Sequence, residues 1–134
     1  MSGSIRNIMS AAYRNLFSNP REAKFAFRMQ QAFSKSEKRR KTIADKEGVD
    51  VPPFLICSIA TQCNLHCKGC YARSNGIAND VGDDSKTTLT ADQWSTIFGQ
   101  AADIGVNFAL LAGGEPMMRR DVLEAAAKED RMIF

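Results

Sequence analysis

No apolar run in the 134-residue chain approaches the ~18 residues a bilayer-spanning helix needs, so no membrane span is expected. The start, Met1-Ser-Gly-Ser-Ile-Arg6, lacks the apolar stretch and small-residue cleavage site of a secretory signal, which points to the cytoplasm. There is no low-complexity tract and no internal repeat. With 44% hydrophobic and 25% charged residues, the composition is that of a globular chain, not a disordered one. Disulfides are not expected either. The chain has four cysteines, but three crowd into Cys63–Cys70, and a thiol cluster in a reducing compartment signals metal or redox chemistry.

What is present divides into two parts by charge. Residues 1–48 carry 11 Lys/Arg against 4 Asp/Glu, a charge of +7, and the remainder carries 7 against 11, a charge of −4. Segments of opposite charge usually do different jobs, so 1–48 is taken as a basic helical segment and 49–134 as the main domain. In the first, Ile5, Ile8, Met9, Ala12, Tyr13, Leu16 and Phe17 repeat on one helix face. Asn19, Pro20 and Glu22 open a second helix, with Phe25, Met29, Ala32 and Phe33 as an apolar stripe and Gly48 as its stop. Lys38-Arg39-Arg40-Lys41 is a basic run within it. Packing of these helices on the main domain or on a partner chain is the favoured reading. Basic amphipathic helices also suit anionic membranes or nucleic acid, but no RNA-binding motif or aromatic-basic interleave accompanies them, so nucleic acid is not the expected partner.

After Pro52-Pro53, the apolar run Phe54–Ala60 reads as a buried strand. Residues 74–88 read as a loop. Thr90 and Gln93 form a capping box for a helix bearing Trp94, Ile97, Phe98, Ala101 and Ala102, ended by Gly105. Phe108–Leu111 reads as a second buried strand. Arg119-Arg120 reads as a solvated turn. Asp121 and Glu124 are placed as caps of a short alanine-rich helix, and Met132–Phe134 as the first residues of a third strand. The order strand, helix, strand, helix, strand start is a parallel βα series.

Two motifs stand at the C-terminal ends of strands, the edge that carries chemistry in βα barrels. The first is Cys63-Asn-Leu-His-Cys67-Lys-Gly-Cys70. A 4Fe-4S cluster takes four ligands, mostly thiolates, and this compact loop supplies three. The ligand that is lacking would leave one iron open to bind and activate a small molecule, by the logic that separates catalytic from structural metal sites. The second is Gly113-Gly114-Glu115-Pro116, one βα unit later.

The C-x3-C-x2-C spacing directly after a strand resembles the radical S-adenosylmethionine superfamily, and Gly113–Pro116 resembles that family's GGEP motif. The resemblance covers residues 54–134. It implies a barrel of six βα units, so the expected fold is α/β, a partial TIM-like (β/α) barrel preceded by two α-helices. A barrel of this kind needs roughly 200 residues or more, and the chain is therefore expected to be the N-terminal part of a longer enzyme. The resemblance implies a 4Fe-4S cluster ligated by Cys63, Cys67 and Cys70, with S-adenosylmethionine on the open iron. One electron from the reduced cluster then cleaves the cofactor to methionine and a 5′-deoxyadenosyl radical, which abstracts hydrogen from a substrate. Gly113, Gly114, Glu115 and Pro116 would run beside the methionine end, with the glycines allowing close backbone approach and Glu115 balancing the ammonium. A flavodoxin- or ferredoxin-like electron donor and a small-molecule or peptide substrate are the implied partners. One position departs from the family: Gly69 stands where an aromatic residue usually precedes the last cysteine, and Tyr71 is the candidate replacement beside the adenine.

The competing class is a non-enzymatic metal-binding module. Zinc accepts three cysteines and a histidine, which would enlist His66, although the ligands would be cramped and no second Cys-x-x-Cys pair exists. An electron-transfer cluster would need Cys57, which lies inside a strand where a cysteine usually packs.

Overall fold

The computed structural model describes residues 19–82 and 88–134. The helix expected over Ile5–Phe17, and residues 83–87 of the expected loop, lie outside them. The chain divides after Lys35 into two units.

Helix α1, Pro20–Glu47, crosses that point. Its start follows the sequence closely. Pro20 fills the first helical position, and the Asn19 carboxamide oxygen accepts from the Arg21 N–H at 3.0 Å, which satisfies one of the amides a helix N-terminus leaves open. In the first unit, Phe25 and Phe33 of the expected stripe are exposed, while Met29 and Ala32 are partly covered.

The second unit takes in the rest of α1. Strand β1, Phe54–Ala60, pairs in parallel with β2, Phe108–Gly113. Between them lie the four-residue helix α2, Tyr71–Ser74, and helix α3, Ala91–Asp103. After β2 come a 3₁₀ turn, Pro116–Met118, and helix α4, Arg120–Ala127. Parallel strands need a crossover, and α3 lies within it. The capping box is present: the Thr90 hydroxyl accepts from the Gln93 N–H at 3.2 Å, and the Gln93 side chain accepts from the Thr90 N–H at 2.9 Å. The C-terminal residues form a parallel bridge, Ile133 to Phe108, with Ala109 N–H donating to the Ile133 carbonyl at 2.8 Å.

Three expectations need correcting. Neither strand is buried on both faces. Cys57, Ile59 and Ala109 point into a core with Trp94, Phe98, Ala102, Val106, Val122, Ala126 and Met132, whereas Phe54, Ile56, Phe108 and Leu110 on the other face are exposed. An apolar run does not report which of its faces is covered, and among the described residues the helices supply a layer on one side. Second, neither Asp121 nor Glu124 is the N-cap of α4, although Asp121 lies in its first turn. The N-cap is Arg119, and the two acids pair instead with Arg119 and Arg120 at 2.9 and 3.0 Å. Third, Arg119 is not a solvated turn residue. Its guanidinium donates to the Ile59 carbonyl at 3.1 Å and the Leu89 carbonyl at 2.9 Å. The β1–β2 register shifts between Ser58 and Ala60. Such an irregularity takes a residue out of the ladder, and Arg119 serves the Ile59 carbonyl there.

The basic run has a local use. Arg39 donates to the Ala102 carbonyl at 3.0 Å and Arg40 to the Gly105 carbonyl at 2.6 Å. Both cations meet the carbonyl-rich C-terminal end of α3, where positive charge is favoured.

Candidate metal centre

The cysteine loop leaves β1 at its C-terminal end. Gln62 bridges in parallel to Asn79, Cys63 N–H donates to the Asn79 carbonyl at 2.9 Å, and Asn79 N–H donates to the Thr61 carbonyl at 2.8 Å. The loop is thus tied at its start. Its end is tied by α2, where Cys70 is the N-cap and its carbonyl accepts from the Ser74 N–H at 3.1 Å. Cys63 is buried, Cys70 intermediate and Cys67 exposed, and all three are free thiols. The Cys63 sulfur is engaged locally, 3.4 Å from the Leu65 N–H that donates to it.

Among the described residues, no three His, Cys, Asp or Glu side chains are gathered in a group that could hold a metal ion. Cys67 is exposed to solvent, so convergence requires reorientation of its side chain within the loop. The donor chemistry fits an iron-sulfur group. Three unoxidised thiols lie on one short loop, and a backbone N–H bonded to a ligand sulfur is one of the features that tunes such clusters. His66 is turned to Asp80, with Nε2 at 3.5 Å from Oδ1 and both side chains largely exposed.

The Gly113–Pro116 segment sits directly against the cysteine loop. Gly114 N–H donates to the Ala60 carbonyl at 2.7 Å, and Glu115 N–H to the Gln62 carbonyl at 3.0 Å. Both glycines are dictated by this contact. Gly113 has φ of +128°, and a Cβ on it would overlap the Ala60 backbone. A Cβ on Gly114 would overlap the Gln62 carbonyl. The close approach is therefore first an approach of one loop to the other. The Glu115 carboxylate accepts from the Met117 N–H at 2.9 Å and caps the 3₁₀ turn, a use that draws it toward its own backbone. Tyr71, the first residue of α2, is exposed.

Sequence reasoning missed one residue here. Arg73 donates to the Cys63 carbonyl at 3.0 Å, the Leu65 carbonyl at 3.1 Å and Asp80 Oδ1 at 2.7 Å. The bond to Asp80, against some opposition from burial and with a smaller contribution from the Cys63 side chain, raises the guanidinium's pKa further above its already high value. An arginine three residues past the last cysteine, on the short helix that follows, was the available signal.

Comparison with known proteins agrees with this geometry. Residues 47–132 match the model of a family described as "4Fe-4S single cluster domain". That match covers well over half of the chain, and both motifs lie inside it. The chain belongs to this family, in its radical S-adenosylmethionine branch. It is 39% identical over 75 residues to a PqqA peptide cyclase of Rhizobium meliloti (strain 1021), an alignment covering 55% of this chain and 18% of that protein. It is 31% identical over 78 residues to an Fe-coproporphyrin III synthase of Methanosarcina barkeri (strain Fusaro / DSM 804), covering 58% and 18%. It is 34% identical over 74 residues to a GTP 3′,8-cyclase of Xanthomonas axonopodis pv. citri (strain 306), covering 55% and 22%. The chain thus spans about a fifth of the length of these relatives. No solved structure matches it significantly. Family membership implies a 4Fe-4S cluster and S-adenosylmethionine as cofactors. No helix among the described residues is long and apolar enough to cross a membrane.

Proposed function

We propose that this chain forms the cluster- and cofactor-binding part of a radical S-adenosylmethionine enzyme, on the first βα units of a (β/α) barrel. Cys63, Cys67 and Cys70 hold the cluster as thiolates, and Gly113, Gly114, Glu115 and Pro116 hold S-adenosylmethionine. When bound, the cluster and its cofactor supply reductive cleavage to methionine and a 5′-deoxyadenosyl radical for hydrogen abstraction. The protein's part is to bind and to orient. The tied ends of the cysteine loop limit its freedom and leave Cys67 and Cys70 accessible to incoming iron. With the Glu115 carboxylate engaged in its own turn, backbone carbonyls of the segment are left to take the cofactor's ammonium, and the exposed Tyr71 ring offers a face to adenine.

One observation carries this reading. The three-cysteine loop and the Gly113–Pro116 turn, far apart in sequence, follow the C-terminal ends of two adjacent parallel strands, and the turn is hydrogen-bonded to Ala60 and Gln62, which lead into the loop. The exposed sheet face with Phe54, Ile56 and Leu110 and the parallel bridge at Ile133 support a sheet that continues as a barrel. The relatives are named for a peptide, a porphyrin and a nucleotide, so a small molecule or peptide remains the substrate class, and a flavodoxin- or ferredoxin-like protein the electron donor. The test is iron and sulfide content after anaerobic reconstitution of the full chain. Cys63→Ala, Cys67→Ala and Cys70→Ala should each lose the cluster, and iron content equal to the unsubstituted chain in any of them would reject that ligand.

A further inference from the structure

Arg73 lies where a second function of the loop is visible. Its side chain is 23% exposed, and its three bonds run to two carbonyls of the cysteine loop and to Asp80. The carbonyls belong to Cys63 and Leu65, the residues on either side of the turn in which the Leu65 N–H donates to the Cys63 sulfur. One guanidinium therefore holds the two peptides that flank the one presenting a hydrogen bond to that sulfur. Helix α2, which starts after the third cysteine, carries this cation back over the first. The charge is permanent, because arginine does not lose its proton in proteins.

We propose that Arg73, held by Asp80, is a positioning residue of the cluster loop that fixes the Cys63–Leu65 segment and raises the reduction potential of the cluster. The inference rests on the ligand assignment above. Net charge and hydrogen bonds to sulfur are established determinants of iron-sulfur potentials, and groups that orient first ligands commonly matter nearly as much as the ligands. Reduction adds one electron, so a fixed positive charge beside Cys63 favours the reduced form. Asp80 offsets part of that charge while holding the fork in place.

The experiment is a one-electron redox titration of the anaerobically reconstituted full chain, with backbone hydrogen exchange of the apo-protein over residues 63–70. Arg73→Gln should shift the potential downward. Asp80→Asn, which removes a negative charge, should shift it upward. Arg73→Lys should keep the potential closer to the unsubstituted value, yet exchange faster at Leu65 because its ammonium cannot span both carbonyls. Fully loaded variants with an unchanged potential and unchanged exchange would overturn the proposal. If Arg73→Gln takes up no cluster, the lysine and Asp80 variants decide. Failure of the unsubstituted chain to bind iron would strike at the ligand assignment, and the exchange data would still accept or reject the brace.

Discussion

Replacing Gly114 by alanine tests the contact on which the candidate site is built. The added Cβ would overlap the Gln62 carbonyl oxygen and lie 2.8 Å from its carbon and 3.0 Å from the Thr61 oxygen. All three are backbone atoms, so no flexible side chain can move aside, and the turn itself must lift away from the cysteine loop. Overpacking of this kind costs about 1–3 kcal/mol. Lifting the turn also breaks or lengthens the Gly114-to-Ala60 and Glu115-to-Gln62 bonds, each contributing about 0.5–1.5 kcal/mol. Together the expected destabilisation is roughly 2–6 kcal/mol. Gly69→Ala is the control. That residue has φ of +76° but nothing within 4 Å of its would-be Cβ, so its cost is confined to backbone strain of about 1–2 kcal/mol. Urea unfolding of the apo-protein measures both, with an unchanged slope required for the comparison. If Gly114→Ala is no more destabilised than Gly69→Ala, the glycines do not serve loop-to-loop packing and the reasoning fails.

Two further outcomes follow from the arginines. Arg119→Met should destabilise by about 1.5–3 kcal/mol, the usual worth of hydrogen bonds to a charged group, because it strands the Ile59 and Leu89 carbonyls; an unchanged urea midpoint would contradict this. Glu129 is held below its ordinary value of 4.5, chiefly by the Arg131 guanidinium that donates to it, with burial and, less, the neighbouring Asp103 opposing the shift. A lowered folded-state value means that the stabilisation is present above pH 4.5 and lost as pH falls through the folded value. Unfolding between about pH 5 and about pH 3 should therefore be less pH-dependent in Glu129→Gln than in the unsubstituted chain, and equal slopes would exclude Glu129 as a source of the acid sensitivity.

Much of this architecture was legible in local sequence. Phe54–Ala60 forms a strand over the expected residues, and Thr90 and Gln93 cap α3 as their spacing required. Both motifs follow strand ends, as their placement after apolar runs implied. Each of these signals is short-range: a periodicity, a cap, a loop after a strand. The missed features are long-range and one-sided. Arg119 finds the Ile59 carbonyl 60 residues away, and Arg39 finds Ala102 across 63. A backbone carbonyl carries no side-chain identity, so nothing at Ile59 or Ala102 announces its partner. The glycines of the Gly113–Pro116 turn were read from the motif as room for a cofactor, while the neighbour that excludes a side chain is the Ala60–Gln62 backbone, known only once the strands are paired.

The most direct test of the central claim is electron paramagnetic resonance of the reduced, anaerobically reconstituted chain, recorded with and without S-adenosylmethionine. Three cysteine ligands and an open iron should give a 4Fe-4S signal that changes when the cofactor is added. Stoichiometric zinc with no such signal, or a 4Fe-4S signal indifferent to S-adenosylmethionine, would contradict it.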